Sequence, residues 1–292
     1  MKNFTSWSFV LCIFHLFTLS SCGNEKQLEI CTEILPVRDP SKGTVLRNTK
    51  WREGSIIKVG FINGEEVYRQ KVRLYAAEWE KHANIKFAFV NNGPADIRVS
   101  MNPGSSWSYH GNESLRFSQN MNTGETVAGT NGPSMNFGWF EPSLSEVGFR
   151  RVILHEFGHS LGLIHEHQNP TAGIDWNKPK VRAYYRDKNG WDEAKTELNI
   201  FKRYDANLTQ FTSYDRASIM HYSIPVDHVN NPAHAVAWNT TLSDTDKSFI
   251  AFVYPRTPPI REREHSSHHG HQGIGTGGGN RGGDIMREEN KK

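Results

Sequence analysis

The sequence has 292 residues, a formal net charge of +3, 36% hydrophobic residues and 22% charged ones. Those fractions exclude a globally disordered chain, and the small charge gives no sign of a nucleic-acid partner and does not demand an acidic substrate. The length suits one sizeable domain, possible as two lobes, with enough residues to bury a core.

The chain opens on a distinct segment. Lys2 gives a positive start, and residues 9–19 form an apolar run too short to span a bilayer comfortably but suited to a signal-peptide core. The run ends in Leu19-Ser20-Ser21-Cys22-Gly23, which resembles the bacterial lipoprotein cleavage box. That resemblance implies a signal peptide over 1–21, a lipid on Cys22, and export to the periplasm or exterior of a bacterium. An ordinary signal peptide with Cys22 incidental, and hence a secreted protein, is the alternative. His15 within the run argues against a true membrane span, so membrane contact is expected only through the anchor. With Cys12 inside the signal and Cys22 at the lipid site, only Cys31 is left, and no intrachain disulfide is expected. Residues 22–44, polar and carrying Pro36 and Pro40, read as a tether.

The folded domain is expected over 45–256. Ile57, Val59 and Phe61 alternate with Lys58 and Gly60, a period of two that predicts a strand, and Asn63-Gly64 marks a turn. Val72, Ala76, Trp79 and Ala83 recur at helical spacing and predict an amphipathic helix over 67–82. Phe87, Phe89 and Val90 predict a second strand, and Ile97, Val99 and Met101 a third. Strand, helix, strand favours a right-handed parallel crossover, hence an α/β sheet covered by a helix. The Gly-, Ser- and Asn-rich stretch 102–140 offers candidate strands at 107–110 and 135–139. It reads equally as a sheet margin that receives an extended peptide or as a plain surface loop region. Ser143-Leu144-Ser145-Glu146 fits a capping box, opening a helix that runs through Val152, Ile153, Phe157 and Leu161 and stops at Gly162. Further helices are expected over 178–188, over 191–201, and after Ser243-Asp244-Thr245-Asp246, ending before Pro255. Beyond Arg256 charge, His and Gly dominate, so 257–292 is expected to be a disordered tail. Its His265, His268, His269 and His271 are expected to bind metal only incidentally.

The run His155-Glu156-Phe157-Gly158-His159-Ser160-Leu161-Gly162-Leu163-Ile164-His165 carries the chemistry. On a helix, His155 and His159 lie one turn apart on one face, so both imidazoles reach one ion. Glu156 can lean over the metal without binding it, as a general base does. An unbroken helix could not bring His165 to the same ion; a Gly that accepts positive φ at 162 ends it and swings His165 back. Three neutral His ligands leave a fourth position open, the arrangement of a catalytic zinc rather than a structural one.

This run matches the metzincin signature, and Tyr214-Asp215-Arg216-Ala217-Ser218-Ile219-Met220-His221-Tyr222 closely resembles the Met-turn of the astacin branch. The resemblance covers roughly residues 49–255. It implies an α/β (α+β) metzincin-type zincin, with a mixed, mainly parallel twisted sheet. The active-site helix would lie in an N-terminal lobe (45–162), followed by a mostly helical or irregular C-terminal lobe (163–256). It also implies one zinc ion on His155, His159 and His165, with Met220 packed below the imidazoles. Tyr222 would serve either as a labile extra ligand or as a donor to the transition-state oxyanion. Two departures stand out: animal astacins commonly carry two disulfides, and after His165 they read Glu-Gln-x-Arg where this chain has Glu166-His167-Gln168-Asn169-Pro170. Glu166 is kept and in the family helps anchor the mature N-terminus, whereas His167 reads as a loop residue.

The implied activity is hydrolysis of peptide bonds in protein or peptide substrates, with Glu156 as general base, by a monomer. A catalytically inactive, zinc-containing surface lipoprotein that binds peptides or glycans is the alternative, as is a structural lipoprotein knit by zinc; the intact Glu156 argues against the former and three His without a fourth protein ligand against the latter. Matrix-type metzincins block their metal with a propeptide Cys in a recognisable motif, which Glu29-Ile30-Cys31-Thr32-Glu33 does not match. Cys31 is therefore not expected to touch the metal, and the enzyme is expected to be active once exported.

Overall fold

The first strand, β1 (Ile56–Phe61), buries Ile57 and Val59 and exposes Ile56 and Lys58, the alternation that its sequence predicts. The computed structural model describes residues 31, 49–91, 93–206 and 211–256. The expected signal peptide, Cys22, nearly all of the tether, and the tail with His265, His268, His269 and His271 lie outside the described residues.

Helix α1 (Glu66–Glu80) follows the Asn63-Gly64 turn and buries Val72, Ala76 and Trp79 on one face. Strand β2 (Lys86–Val90) then runs parallel to β1, with Ile57 opposite Phe87 and Val59 opposite Phe89. This is the crossover the hydrophobic pattern predicts. Strand β3 (Ile97–Ser100) pairs in parallel with the other side of β1 and is buried throughout. Strand β4 (Trp107–Ser108) is a short antiparallel edge. A separate hairpin, β5 (Phe117–Gln119) with β6 (Thr126–Ala128), precedes β7 (Met135–Asn136), and the main sheet runs in the order β2-β1-β3-β7-β4.

The two candidate strands at 107–110 and 135–139 are real but shorter than expected. After β4 the chain enters a 3-10 turn, where Gly111 at φ +50 passes so close to the Thr49 carbonyl that a Cβ would lie 1.9 Å from its oxygen. After β7, Gly138 makes a similar approach to the Gly104 carbonyl. Backbone crowding ends both strands, and no hydrophobic pattern reports it. The hairpin region is tied to the sheet by Arg98, whose buried guanidinium donates to the carbonyls of Gly132 and Phe117.

Helix α2 (Glu146–Ser160) is capped two residues later than the sequence suggests. Ser145 Oγ accepts from Gly148 N at 3.1 Å, while Ser143 Oγ is engaged with Glu141. Glu146 thus becomes the first helical residue and pairs with Lys71 and Tyr75 of α1 rather than closing a capping box. From Phe149 to Ser160 only Arg150 escapes full burial, because α2 lies beneath the sheet with α1 alongside; Trp79 Nε1 donates to the Leu154 carbonyl at 3.0 Å. Burial of the large apolar side chains here is the main stabilising term, roughly 1.5–3 kcal/mol for each.

The later elements are α3 (Lys178–Asn189), ended by Gly190 in the left-handed region, and α4 (Glu193–Thr196), which passes into a π-helical turn over Glu197–Phe201. The last, α5 (Asp244–Val253), carries the full capping box, with Ser243 and Asp246 bonded reciprocally. Two cores result. One joins the sheet, α1, α2, Ile219, Met220 and Ile250; the other gathers Trp107, Tyr109, Val181, Tyr185, Ile200, Phe201 and Tyr222. The fold is the mixed, mainly parallel α/β class expected. Among the described residues, no helix is long and apolar enough to cross a membrane.

Candidate metal centre

His155 and His159 sit one turn apart on α2 with ring centroids 4.8 Å apart and planes nearly perpendicular. Leu161 ends the helix, and Gly162 adopts φ +95, a conformation that costs glycine little and other residues much. The chain reverses, and His165 returns with its ring 4.5 Å from His159 and 5.3 Å from His155. The three imidazoles expected from the spacing are thus brought together.

Two of the three outer nitrogens are committed to the backbone, while His165 Nδ1 is buried with no hydrogen-bond partner among the described residues. His155 Nδ1 lies 2.9 Å from the Ile219 carbonyl and His159 Nδ1 2.8 Å from that of Leu163, so each Nδ1 carries the proton and each Nε2 presents a lone pair. The Nε2 atoms of His159 and His165 stand 3.0 Å apart, and His155 Nε2 is buried with no hydrogen-bond partner among the described residues. Burial holds the pKa of His155 at about 4 and those of His159 and His165 well below the usual histidine range. Neutral, convergent and otherwise unsatisfied nitrogens are the donor set a divalent ion such as zinc requires.

Below the cluster, Met220 fills the space left by the missing side chain of Gly158: a Cβ there would come 2.3 Å from its Sδ. The turn carrying Met220 is pinned from α5, since Asp246 accepts from Ser218 Oγ, Ile219 N and Ser243 N at 2.7–2.9 Å. Glu166 accepts from Asp215 N at 2.8 Å and Asn169 Nδ2 at 3.0 Å, fastening the segment after His165 to the start of the same turn. His167 is no free loop residue. It is buried, its Nε2 lies 2.9 Å from the Asn199 carbonyl, and its ring stacks on Tyr222 at 4.3 Å. Tyr222 lies 4.4 Å from the His165 ring.

One expectation is overturned. The Cys31 side chain enters the cluster: its Sγ and one nitrogen from each of His155, His159 and His165 all lie within 4.8 Å of one another. The thiol donates to Glu156 Oε2 at 3.4 Å, and the Tyr222 hydroxyl donates to the Cys31 carbonyl. Burial pushes the Glu156 carboxyl up to about 8, and its Oε1 has no partner among the described residues. The sequence around Cys31 lacks the expected motif, so no local signal announces this approach across 125 positions. Two further residues escaped sequence reasoning. His110 packs edge-on to His159 at 5.0 Å, and Arg151 lines a small pocket with Cys31, His155, Tyr222 and Trp238.

A family model described as matrixin matches residues 58–172. No curated protein matches the sequence. Among solved structures, one of myroilysin is 45% identical with a TM-score of 0.67, the alignment covering 73% of this chain and 99% of that one. A second myroilysin structure is 41% identical with a TM-score of 0.58, covering 78% and 92%. With its three-histidine cluster and an identity that high over almost all of a relative's length, the chain belongs to the same family as myroilysin, and its residues 58–172 carry the match to the matrixin peptidases, metalloproteases of metzincin type that imply zinc.

Proposed function

We propose that this chain is a zinc-dependent endopeptidase of the astacin-like branch, built in a latent form, with His155, His159 and His165 holding one zinc ion. The observation that carries the reading is the convergence of these imidazoles with Cys31 beside the buried carboxyl of Glu156. Bound there, zinc supplies Lewis-acid chemistry, polarising a carbonyl and making a water acidic near neutral pH.

The chain's own groups do the rest. Glu156 has an oxygen with no hydrogen-bond partner among the described residues and a pKa raised by burial, so it suits taking a proton from water and returning it to the leaving amine nitrogen as the C–N bond breaks. Tyr222 donates to a backbone carbonyl, that of Cys31, at the site. A substrate carbonyl in the same place would receive that hydrogen bond, which supports the oxyanion-donor role. His167 and Asn199 keep the phenol in place. The Met220-His221-Tyr222 order supports the astacin-like assignment.

Cys31 would supply the fourth ligand of a metal held by the imidazoles and engages Glu156 at the same time, so the segment bearing it would have to leave before a peptide could enter. Export as a lipoprotein anchored at Cys22 rests on the cleavage box alone. The deciding experiment is a casein or quenched-peptide assay of the full chain before and after limited trypsin digestion, with and without a chelator. Arg38, Lys42 and Arg47 lie between Cys31 and the first strand and offer trypsin its sites. Chelator-sensitive cleavage after digestion is expected; digestion products that bind zinc but hydrolyse nothing would end the peptidase reading in favour of a binding protein.

A further inference from the structure

The carbonyls at the end of α2 need partners from outside the helix, because the last turn leaves them without intrahelical donors. The reversal at Gly162 serves the earlier ones: Gly162 N donates to the His159 carbonyl at 2.7 Å and Leu163 N to that of Gly158 at 3.0 Å. The Ser160 and Leu161 carbonyls come next, and two side chains 203 positions apart reach them. Trp51 Nε1 donates to the former and the Tyr254 hydroxyl to the latter, each at 2.8 Å. The same hydroxyl accepts from Trp51 N at 3.2 Å, so the two residues form one connected brace.

The brace holds the turn that carries the ligands. Ser160 and Leu161 follow His159 directly, and the Leu163 carbonyl, just beyond Gly162, faces His159 Nδ1. Tilting either braced carbonyl would rotate the reversal and with it the imidazoles at 159 and 165. The brace is itself anchored. Just upstream, Asn112 N donates to the Thr49 carbonyl at 2.7 Å and Asn112 Nδ2 to that of Lys50 at 3.0 Å. Downstream, the Tyr254 carbonyl accepts from Asn84 N at 2.8 Å. Trp51 and Tyr254 are both buried, so losing either donor strands a carbonyl away from water.

We infer that Trp51 and Tyr254 are positioning residues for the metal centre: they fix the end of α2 so that His159 and His165 converge, and the processed enzyme must keep its chain from Trp51 onward. The inference rests on the zinc reading above and deepens it. The cut that frees the site of Cys31 then falls between Cys31 and Trp51, a window that contains Arg38, Lys42, Arg47 and Lys50.

The test is zinc affinity of the full chain, read by competition with a fluorescent chelator, in Trp51→Phe and Tyr254→Phe. Both keep an aromatic ring and remove the donor. Partners that orient metal ligands are worth about 10- to 100-fold in affinity, so each variant should bind zinc about tenfold more weakly. The visible absorption bands of the cobalt-loaded chain should change with it, because they report ligand geometry. The double variant should lose less than the product of the single effects, since the two residues share one network. Asn177→Ala, which removes the cap of α3, is the structural comparison: Tm should fall while zinc affinity and cobalt bands hold. N-terminal sequencing of the active digestion product should place its first residue no later than Trp51. Full zinc affinity with an unaltered cobalt spectrum in either folded variant, or a fully active product that begins beyond Trp51, overturns this inference alone. Should Trp51→Phe not fold, Tyr254→Phe and the sequencing decide. Failure of the unaltered chain to bind zinc overturns the reading beneath it.

Discussion

The thiol of Cys31 donates to Glu156 Oε2 at 3.4 Å while its sulfur lies among the three imidazoles. One side chain therefore engages the carboxyl proposed as general base and, with a metal on the imidazoles, would supply its fourth ligand; hydrolysis would need both groups free together.

From this pairing follows the behaviour of Cys31→Ala. In the undigested full chain it should raise hydrolysis of a quenched peptide by roughly tenfold or more, since the loss of even one such contact shifts occupancy by that factor. Activity of the variant no higher than that of the undigested parent chain would remove Cys31 from any inhibitory role.

Glu156→Gln keeps the shape and the buried hydrogen-bonding capacity but cannot take up a proton. In the processed chain kcat should fall by about 10²–10⁴, with zinc content unchanged. Near-normal turnover in stopped assays would mean the base lies elsewhere.

Tyr222→Phe separates the two roles open to the phenol. If it donates to the oxyanion, kcat falls by about 10²–10³ while KM and zinc affinity hold steady. Weakened zinc binding by competition with a fluorescent chelator would instead mark Tyr222 as a ligand.

Metal content tests the ligand set directly. His159→Ala should lose its bound zinc, read by elemental mass spectrometry on the purified protein. Retention of stoichiometric zinc by a folded variant would exclude His159 as a ligand.

The floor of the site is sensitive to one methyl group. In Gly158→Ala the new Cβ would meet Met220 Sδ at 2.3 Å and Trp79 Cζ2 at 3.2 Å. Overpacking of this kind costs about 1–3 kcal/mol, visible as a lowered Tm. An unchanged melting temperature would show that Met220 can retreat freely and is not a fixed floor.

Much of the site was legible because its geometry is local. The helix repeat places His155 and His159 on one face, and Gly162, read as a helix stop, proves to adopt φ +95 and let His165 return. The crossover of β1, α1 and β2 was likewise written in residues with alternating or helical periods. Capping was less secure: Ser143 and Ser145 offer the same chemistry, and the choice between them fell to Glu141, which engages the former.

The run from 155 to 165 was readable in advance, because ligands within one turn and one reversal of a helix are placed by backbone geometry alone. Long-range packing was needed for Cys31 to join them, for Asp246 to pin the turn beneath, and for Arg151 to share their pocket with Trp238. Those encounters cross tens to more than a hundred positions of chain. They depend on how the hydrophobic clusters pack together, a choice made by total burial and not by any local pattern.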